Sequence, residues 1–404
     1  MKLNNPHIWL RPVLLFLFSC LSIPNMGVTP GDSVSISLLT CSPHNEVYAL
    51  YGHTALRLND HTTGEDLAIN YGVFSFDQPN FITRFIFGLT DYQMGVYPFE
   101  VFRREYAYEG RTVIEQTLLL TPEEKSRIVT ALIENSRPEN MVYRYNFFYD
   151  NCTTRARDMV LSHLDGTVRY ASSEDSTATF RSMTHDYTMS HLWARFGNDM
   201  LLGFQADLPT NRSERQFLPG NLEADFADAQ VSRSDGSLRP LVERTTTVLE
   251  GGEPQDDYTF PLRPRTCFWL FFALTVIITL IERVTRRLWV FDLLLLVICG
   301  LAGLVLTPML FSQHPTVRLN LQMLILNPLP LLLVYPVIRK SLRGGHHWWW
   351  TVWGVLCILF LFCSPFQDYA EGMCALALSL LLRCVSNSRF LPLSPIHKET
   401  KAAK

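Results

Sequence analysis

Apolar and polar positions alternate over residues 33–40 (SVSISLLT), which predicts a β-strand with one buried face. Two more strands, 54–59 and 67–71, flank the polar turn at 60–64, and 112–120 predicts another. Thr121-Pro122-Glu123-Glu124 then reads as an N-cap, a proline at the first helical position and a capping-box glutamate. It opens a helix that stops before Pro138. Residues 143–147 predict a short strand and 152–164 a helix. Beyond about 165 the pattern is loop-rich, with helical pieces near 187–201 and 222–231. A Gly-Pro-acid stretch at 251–257 ends this regime. Long apolar runs follow, and five of them predict membrane spans: 267–281, 288–311, 319–338, 348–364 and 369–382. The first and last are short for a bilayer core of about 30 Å, which takes about 20 helical residues. Repeats and low-complexity segments are absent.

The apolar half changes how the N-terminus reads. Lys2 and Arg11 precede VLLFLFSCLSI, a run too short for a comfortable span, so 1–27 reads as an export signal. Leu17-Phe18-Ser19-Cys20 faintly resembles a lipoprotein processing site, with Phe18 a poor fit; cleavage and retention as an anchor both stay open. Basic residues agree with export. Arg283, Arg286 and Arg287 follow the first span, Arg339, Lys340 and Arg343 the third, and Arg383, Arg389, Lys398, Lys401 and Lys404 the fifth. The alternate loops hold only Arg318, or Asp368 and Glu371. Lys and Arg favour the cytoplasm, which places residues 28–262 outside and the C-terminus inside. Arg263 and Arg265 are a minor conflict. The chain thus divides into a signal or anchor (1–27), an exported domain (28–262), a five-span bundle (263–387) and a cytoplasmic tail (388–404). One stretch, HPTVRLNLQMLILNPLP, sets His314, Arg318, Asn320, Gln322 and Asn327 at membrane depth. Such groups either stabilise helix packing and a Pro-broken helix or bind substrate.

Net charge is −3 and no basic block could track phosphates, which excludes a nucleic-acid partner. No His-Glu-His zinc spacing and no phosphate-cradling Gly loop is present, so neither metal, nucleotide nor other cofactor is expected. Of nine cysteines, six (Cys267, Cys299, Cys357, Cys363, Cys374, Cys384) lie in or beside apolar runs and Cys20 in the signal. Cys41 and Cys152 remain, either as a disulfide or with one as a nucleophile. Cys152 follows Tyr149-Asp150-Asn151 and opens an amphipathic helix. The partial positive charge and N–H groups of a helix start favour a thiolate and can stabilise an oxyanion. Cys41 ends a strand and has no such setting. Among His44, His53, His61, His163, His185 and His191, His53 stands out at a strand start after Gly52, which permits close backbone approach. His53 is therefore the candidate base and Cys152 the candidate nucleophile, against structural roles for each. Asn70, on the next strand, is the candidate orienter of the imidazole, or else a turn residue. His precedes Cys by about 100 residues, the reverse of papain, an order that resembles the circularly permuted NlpC-type fold.

The segments LLTCSPHNEVYALYGHTALRL, INYGVFSFDQPNFITRFIFGLTDYQMG and YRYNFFYDNCTTRARDMV together resemble the exported N-terminal domain of the Lnb family, and FSQHPTVRLNLQMLILNPLPL resembles the polar motif of its membrane bundle. The resemblance implies an α+β permuted papain-like periplasmic domain followed by an all-α five-span transmembrane bundle in the inner membrane. It implies lipoprotein N-acyltransferase activity: a phospholipid acyl donor, a diacylglyceryl-cysteine lipoprotein acceptor, and catalytic His and Cys at His53 and Cys152. Tyr51, Asn151 and Arg155 beside the pair, with His314, Asn320 and Asn327 in the bundle, stand as substrate-binding candidates. Phe74, Phe76, Phe81, Phe85, Ile86, Phe87 and Leu89 either dip into the headgroup region or pack in a core. Two rivals remain: a tethered cysteine peptidase or amidase acting on peptidoglycan, and a non-enzymatic protein with a Cys41–Cys152 bridge.

Overall fold

The computed structural model describes residues 33–46, 48–74, 79–171, 177–233, 235–252, 260–285 and 288–388. The export signal, Phe76, Arg286, Arg287, the linker from 253 to 259 and the tail beyond 388 lie outside the described residues.

Seven strands form one antiparallel sheet. They are β1 (Val34–Cys41), β2 (His53–Asp60), β3 (Glu65–Val73), β4 (Asp91–Pro98), β5 (Val113–Leu118), β6 (Val142–Arg144) and, returning late in the chain, β10 (Val242–Leu249). Their order is β10-β5-β1-β2-β3-β4-β6. Three short strands, β7 (Thr167–Tyr170), β8 (Ala229–Ser232) and β9 (Leu238–Pro240), make a second sheet. Strand alternation gives the large sheet two apolar faces. Ile36, Leu38, Leu56, Ile69 and Tyr71 pack against Ile128 and Leu132 of the Pro122–Asn135 helix and Ala156 and Val160 of the Cys152–Leu161 helix. Leu39, Cys41, Ala55 and Ala68 face the other way, onto Phe99, Phe102 and Tyr106 of the Phe99–Tyr108 helix.

The predicted capping box at Thr121 is present, with Glu124 accepting from the Thr121 amide at 2.8 Å. The strand expected at 143–147 ends at Arg144, because Asn146 turns back to pair with Asp150. The helical piece near 222–231 is Pro219–Asp228, and its last residues enter β8 instead.

Three C-terminal helices are long and apolar enough to cross a membrane: Pro264–Ile281, Trp289–Met309 and a composite over Pro315–Leu342. Trp348–Phe362 and Met373–Asn387 are apolar but shorter. The span read at 319–338 falls within the composite. The composite is a Pro315–Arg318 turn, a 3-10 turn at Leu321–Leu324 and a Leu329–Leu342 helix, which Pro328 precedes and in whose first turn Pro330 is accommodated. Gly303 lets the chain pass: a Cβ there would lie 2.2 Å from the Asn327 carbonyl carbon.

The polar residues of that break bond to the exported domain. Asn320 Nδ2 donates to the Met200 carbonyl at 2.8 Å and Gln322 Nε2 to that of Asp199 at 2.8 Å. Gln367 Nε2 donates to the Leu202 carbonyl at 3.1 Å, while the Gly203 and Phe204 amides donate to Thr316 and Leu319. One apolar cluster crosses the boundary, from Phe148, Phe180 and Phe217 to Leu295, Trp349 and Trp353. Domain and bundle are therefore packed as one body rather than tethered.

Candidate active site

Three local choices bring the site together. Gly52 adopts φ +79°, and a Cβ on it would lie 2.7 Å from the Cys41 carbonyl, so only glycine fits the turn that delivers His53 to the start of β2. Asn70 lies on β3, paired through the Ala55↔Asn70 register. Asn151 caps the Cys152 helix: its Oδ1 accepts from the Thr153 and Thr154 amides, both at 2.9 Å. Thr153 ties this helix to the sheet through Thr54 Oγ1, 3.1 Å away.

His53 Nε2 lies 2.9 Å from Asn70 Oδ1. The same oxygen accepts from the Gly72 amide at 2.6 Å, which fixes it as an acceptor and His53 Nε2 as an N–H donor. The proton-free nitrogen is then Nδ1, and the imidazole and the Cys152 thiol line the same cleft, close enough for each to act on the other's charge. Tyr106 stacks on the ring, centroids 6.5 Å apart and planes 13° from parallel. Gly72 is a component that sequence reasoning passed over. A Cβ there would sit 2.7 Å from His53 Cε1 and 3.0 Å from Asn70 Oδ1, so glycine leaves room for the bond between them.

Burial alone would raise the Cys152 thiol. The adjacent imidazole, the Thr54 amide and the Thr153 hydroxyl outweigh it and bring the thiol down to about 7. Burial likewise works against a charged His53, but the Cys152 sulfur and Asn70 lift it above its ordinary value. Cys41 is the reverse case: deep burial pushes it up to about 12, and both cysteines are free. The bridged-pair reading of these two is thereby overturned.

A cleft of about 250 Å³ contains the pair. Tyr51, Phe74, Tyr92, Tyr145, Phe147 and Phe217 supply aromatic wall, and Glu105, Glu109 and Arg111 supply a polar end. Tyr51 and Asn151 thus reach the cleft. Tyr51 Oη accepts from Asn198 at 2.6 Å. Asn151 has no capacity left for substrate, since its Nδ2 donates to the Phe147 and Phe217 carbonyls. The Asn151 cap also occupies two of the helix-start amides expected to face an oxyanion. The remaining binding candidates lie outside the cleft lining. Arg155 holds Asp150 and stacks on Tyr143. Asn320 is 5 % exposed, its Oδ1 taken by Gln322 and Gln367 and its Nδ2 by the Met200 carbonyl. His314 packs against Gly88, and Asn327 Oδ1 caps the Leu329 amide at 3.3 Å. Asn320 and His314 sit at the joint between domain and bundle, whereas Arg155 stays within the exported domain and Asn327 within the bundle. Of the aromatic segment, Phe74 lines the cleft on Tyr92, Ile86 packs on the bundle, and Ile82 and Phe85 are exposed.

Thiol reactivity provides a direct test. With the thiol near 7, about half is thiolate at pH 7, so alkylation by iodoacetamide should rise with pH through a midpoint near 7. His53→Ala removes the main lowering influence and leaves burial. At a value of about 9 only ~1 % is thiolate at pH 7, so alkylation there should slow about fiftyfold. An unchanged midpoint in the variant would show that the imidazole does not set the thiol's ionisation.

Comparison with protein families finds the Lnb N-terminal periplasmic domain over residues 27–186 and the Lnb transmembrane domain over 255–392. Curated proteins and solved structures gave no significant match. The stretch between the two matches includes β10, the edge strand of the large sheet, and the Phe204–Asp207 turn that meets the bundle. With the periplasmic domain and the transmembrane domain of one family matched in order along it, the chain belongs to the Lnb family.

Proposed function

We propose that this chain is a lipoprotein N-acyltransferase that takes an acyl chain from a phospholipid onto Cys152 and passes it to the α-amino group of a diacylglyceryl-cysteine. The observation that carries the reading is the cleft: a Cys152–His53–Asn70 line beside aromatic residues of which Tyr51, Phe147 and Phe217 belong to the same apolar cluster as the membrane helices.

The chemistry follows from the geometry. His53 Nδ1 takes the thiol proton, and the Cys152 thiolate attacks the ester carbonyl of the donor. The tetrahedral intermediate collapses as His53 returns that proton to the glycerol oxygen, releasing lysophospholipid and leaving a thioester. The acceptor amine attacks the thioester, His53 removes the amine proton, and an amide forms as the Cys152 thiol is regenerated. Asn70 keeps the imidazole in the required tautomer throughout.

The architecture supports a lipid substrate. Withdrawing a phospholipid would cost about 0.8 kcal/mol for each CH₂ exposed to water, and a cleft whose Tyr51, Phe147 and Phe217 wall packs with the bundle keeps that exposure small. The sheet, the helix-borne Cys152 and the His-before-Cys order support a permuted papain-like domain. Five spans in the inner membrane, with the C-terminus cytoplasmic, account for the apolar faces left outward on the helices. Leu270, Leu274, Ile277 and Ile281, for example, stand exposed at helical spacing. A peptidoglycan amidase would share the pair but has no need of a cleft wall packed with the bundle.

The deciding experiment incubates purified protein in phospholipid vesicles with a synthetic diacylglyceryl lipopeptide and follows both by mass spectrometry. A thioester adduct on Cys152 and an N-acylated lipopeptide are expected. Cleavage of a muropeptide without lipopeptide acylation would replace this reading with the amidase.

A further inference from the structure

We infer that the polar end of the Cys152 cleft is a headgroup subsite for a donor phospholipid bearing both a phosphodiester and an ammonium, with Arg111 taking the phosphate and Glu105 and Glu109 the ammonium. This rests on the acyl-transfer reading above.

Arg111 is only 5 % exposed yet lines the cleft. Its Nε donates to the Ser42 carbonyl at 2.8 Å and its Nη1 to Glu109 at 3.0 Å. Its plane lies over Tyr106, 4.6 Å from the ring centroid. The third nitrogen, Nη2, is buried with no partner. A buried N–H group without an acceptor is unfavourable, and a guanidinium edge fits a phosphate oxygen. Arg111 is thus fixed in place with one edge unused.

Charge specifies the rest of the ligand. One guanidinium faces two carboxylates, Glu105 and Glu109, at the same end of the cleft. A wholly anionic headgroup would add to this negative excess, whereas a zwitterionic one offsets it. The two ends are also ordered as the chemistry needs. Arg111 lies over the Tyr106 ring, which stacks on His53, while Tyr92 and Tyr145 share an apolar cluster with Cys152. The polar group therefore sits on the imidazole's side and the aromatics on the thiol's side. In acylation His53 must protonate the departing glycerol oxygen, which carries the headgroup, while the acyl chain stays on sulfur. A phospholipid laid along this cleft meets both demands in one orientation.

The full-length protein is assayed with phosphatidylethanolamine and phosphatidylglycerol of identical acyl chains in mixed micelles. The wild type should favour the ethanolamine donor about tenfold in kcat/KM. Glu105→Gln should bring the two donors to within about twofold. Arg111→Met should raise KM for both about tenfold, with partial recovery in Arg111→Lys. A wild-type ratio near one, or a Glu105→Gln effect that falls on the acceptor's KM and leaves the donor ratio intact, overturns the subsite. A second arm titrates Cys152→Ala protein with glycerophosphoethanolamine and glycerophosphoglycerol. Preference for the former upholds the subsite even if the wild type transfers nothing, in which case the transferase reading alone falls. Equal binding in a chain that does transfer sinks the subsite alone.

Discussion

Cys152→Ser is expected to abolish N-acylation while leaving the chain folded and in the membrane. Sulfur and oxygen differ little in size, and the Cys152 side chain is half-buried rather than a core element. The helix start does not depend on it, because Asn151 provides the cap. What changes is ionisation. The thiol sits at about 7 beside His53, whereas a hydroxyl there stays protonated at any working pH. Loss of a nucleophile that acts with its base as one unit lowers turnover by about 10³-fold or more. The measurement is the mass of a lipoprotein N-terminus in cells that rely on the variant, with membrane-fraction abundance as the control. An N-acyl group retained at normal abundance would remove Cys152 from the chemistry.

The proximity of His53 to Cys152 was legible in the sequence because each residue sits at the start of an element. Gly52 marks the turn before a strand, and Asn151 marks a helix cap. Their surroundings were hidden for identifiable reasons. The Phe99–Tyr108 helix has a narrow apolar stripe, Phe99, Phe102 and Tyr106, dispersed among Glu100, Arg103, Arg104 and Glu105. Its spacing of three and four was the available signal, and without it neither the stack of Tyr106 on His53 nor the polar end of the cleft could be placed. Arg111 is an isolated charge at a strand entry, and only the fold shows that its Nη2 has no partner. β10 pairs with β5 across more than a hundred residues, a contact no local pattern encodes. The polar groups at 314–327 were legible as unusual at membrane depth. Their partners include carbonyls in the last turn of the Leu192–Leu201 helix, and carbonyls leave no trace in residue type.

Arg383→Ala should destabilise the bundle by about 3–5 kcal/mol without altering the reactivity of Cys152 in the folded fraction. Arg383 is fully buried, and all its N–H groups are engaged. Nε and Nη2 donate to Asp292 at 2.8 and 3.1 Å. Nη1 and Nη2 reach Glu282 at 2.7 and 3.1 Å, and Nη1 also reaches Thr279 at 3.1 Å. Asp292 accepts as well from Asn387 at 3.1 Å. These residues bring together the end of the Pro264–Ile281 helix, the start of Trp289–Met309 and the end of Met373–Asn387. All three ends lie away from the Pro264 and Gly372 ends, which adjoin the exported domain. Removing the guanidinium leaves two buried carboxylates without a counter-charge, which is worse than never having buried the pair. The cost therefore belongs to the stranded carboxylates rather than to a lost attraction. A triple variant, Arg383→Met with Asp292→Asn and Glu282→Gln, should recover most of the loss. Denaturant titration of the detergent-solubilised protein measures both, and iodoacetamide alkylation of Cys152 reports on the site. A single variant within about 0.5 kcal/mol of wild type would mean that water reaches this end of the bundle and screens the charges. A triple variant no better than the single would mean that the ion cluster itself, rather than its imbalance, sets the three helices in register.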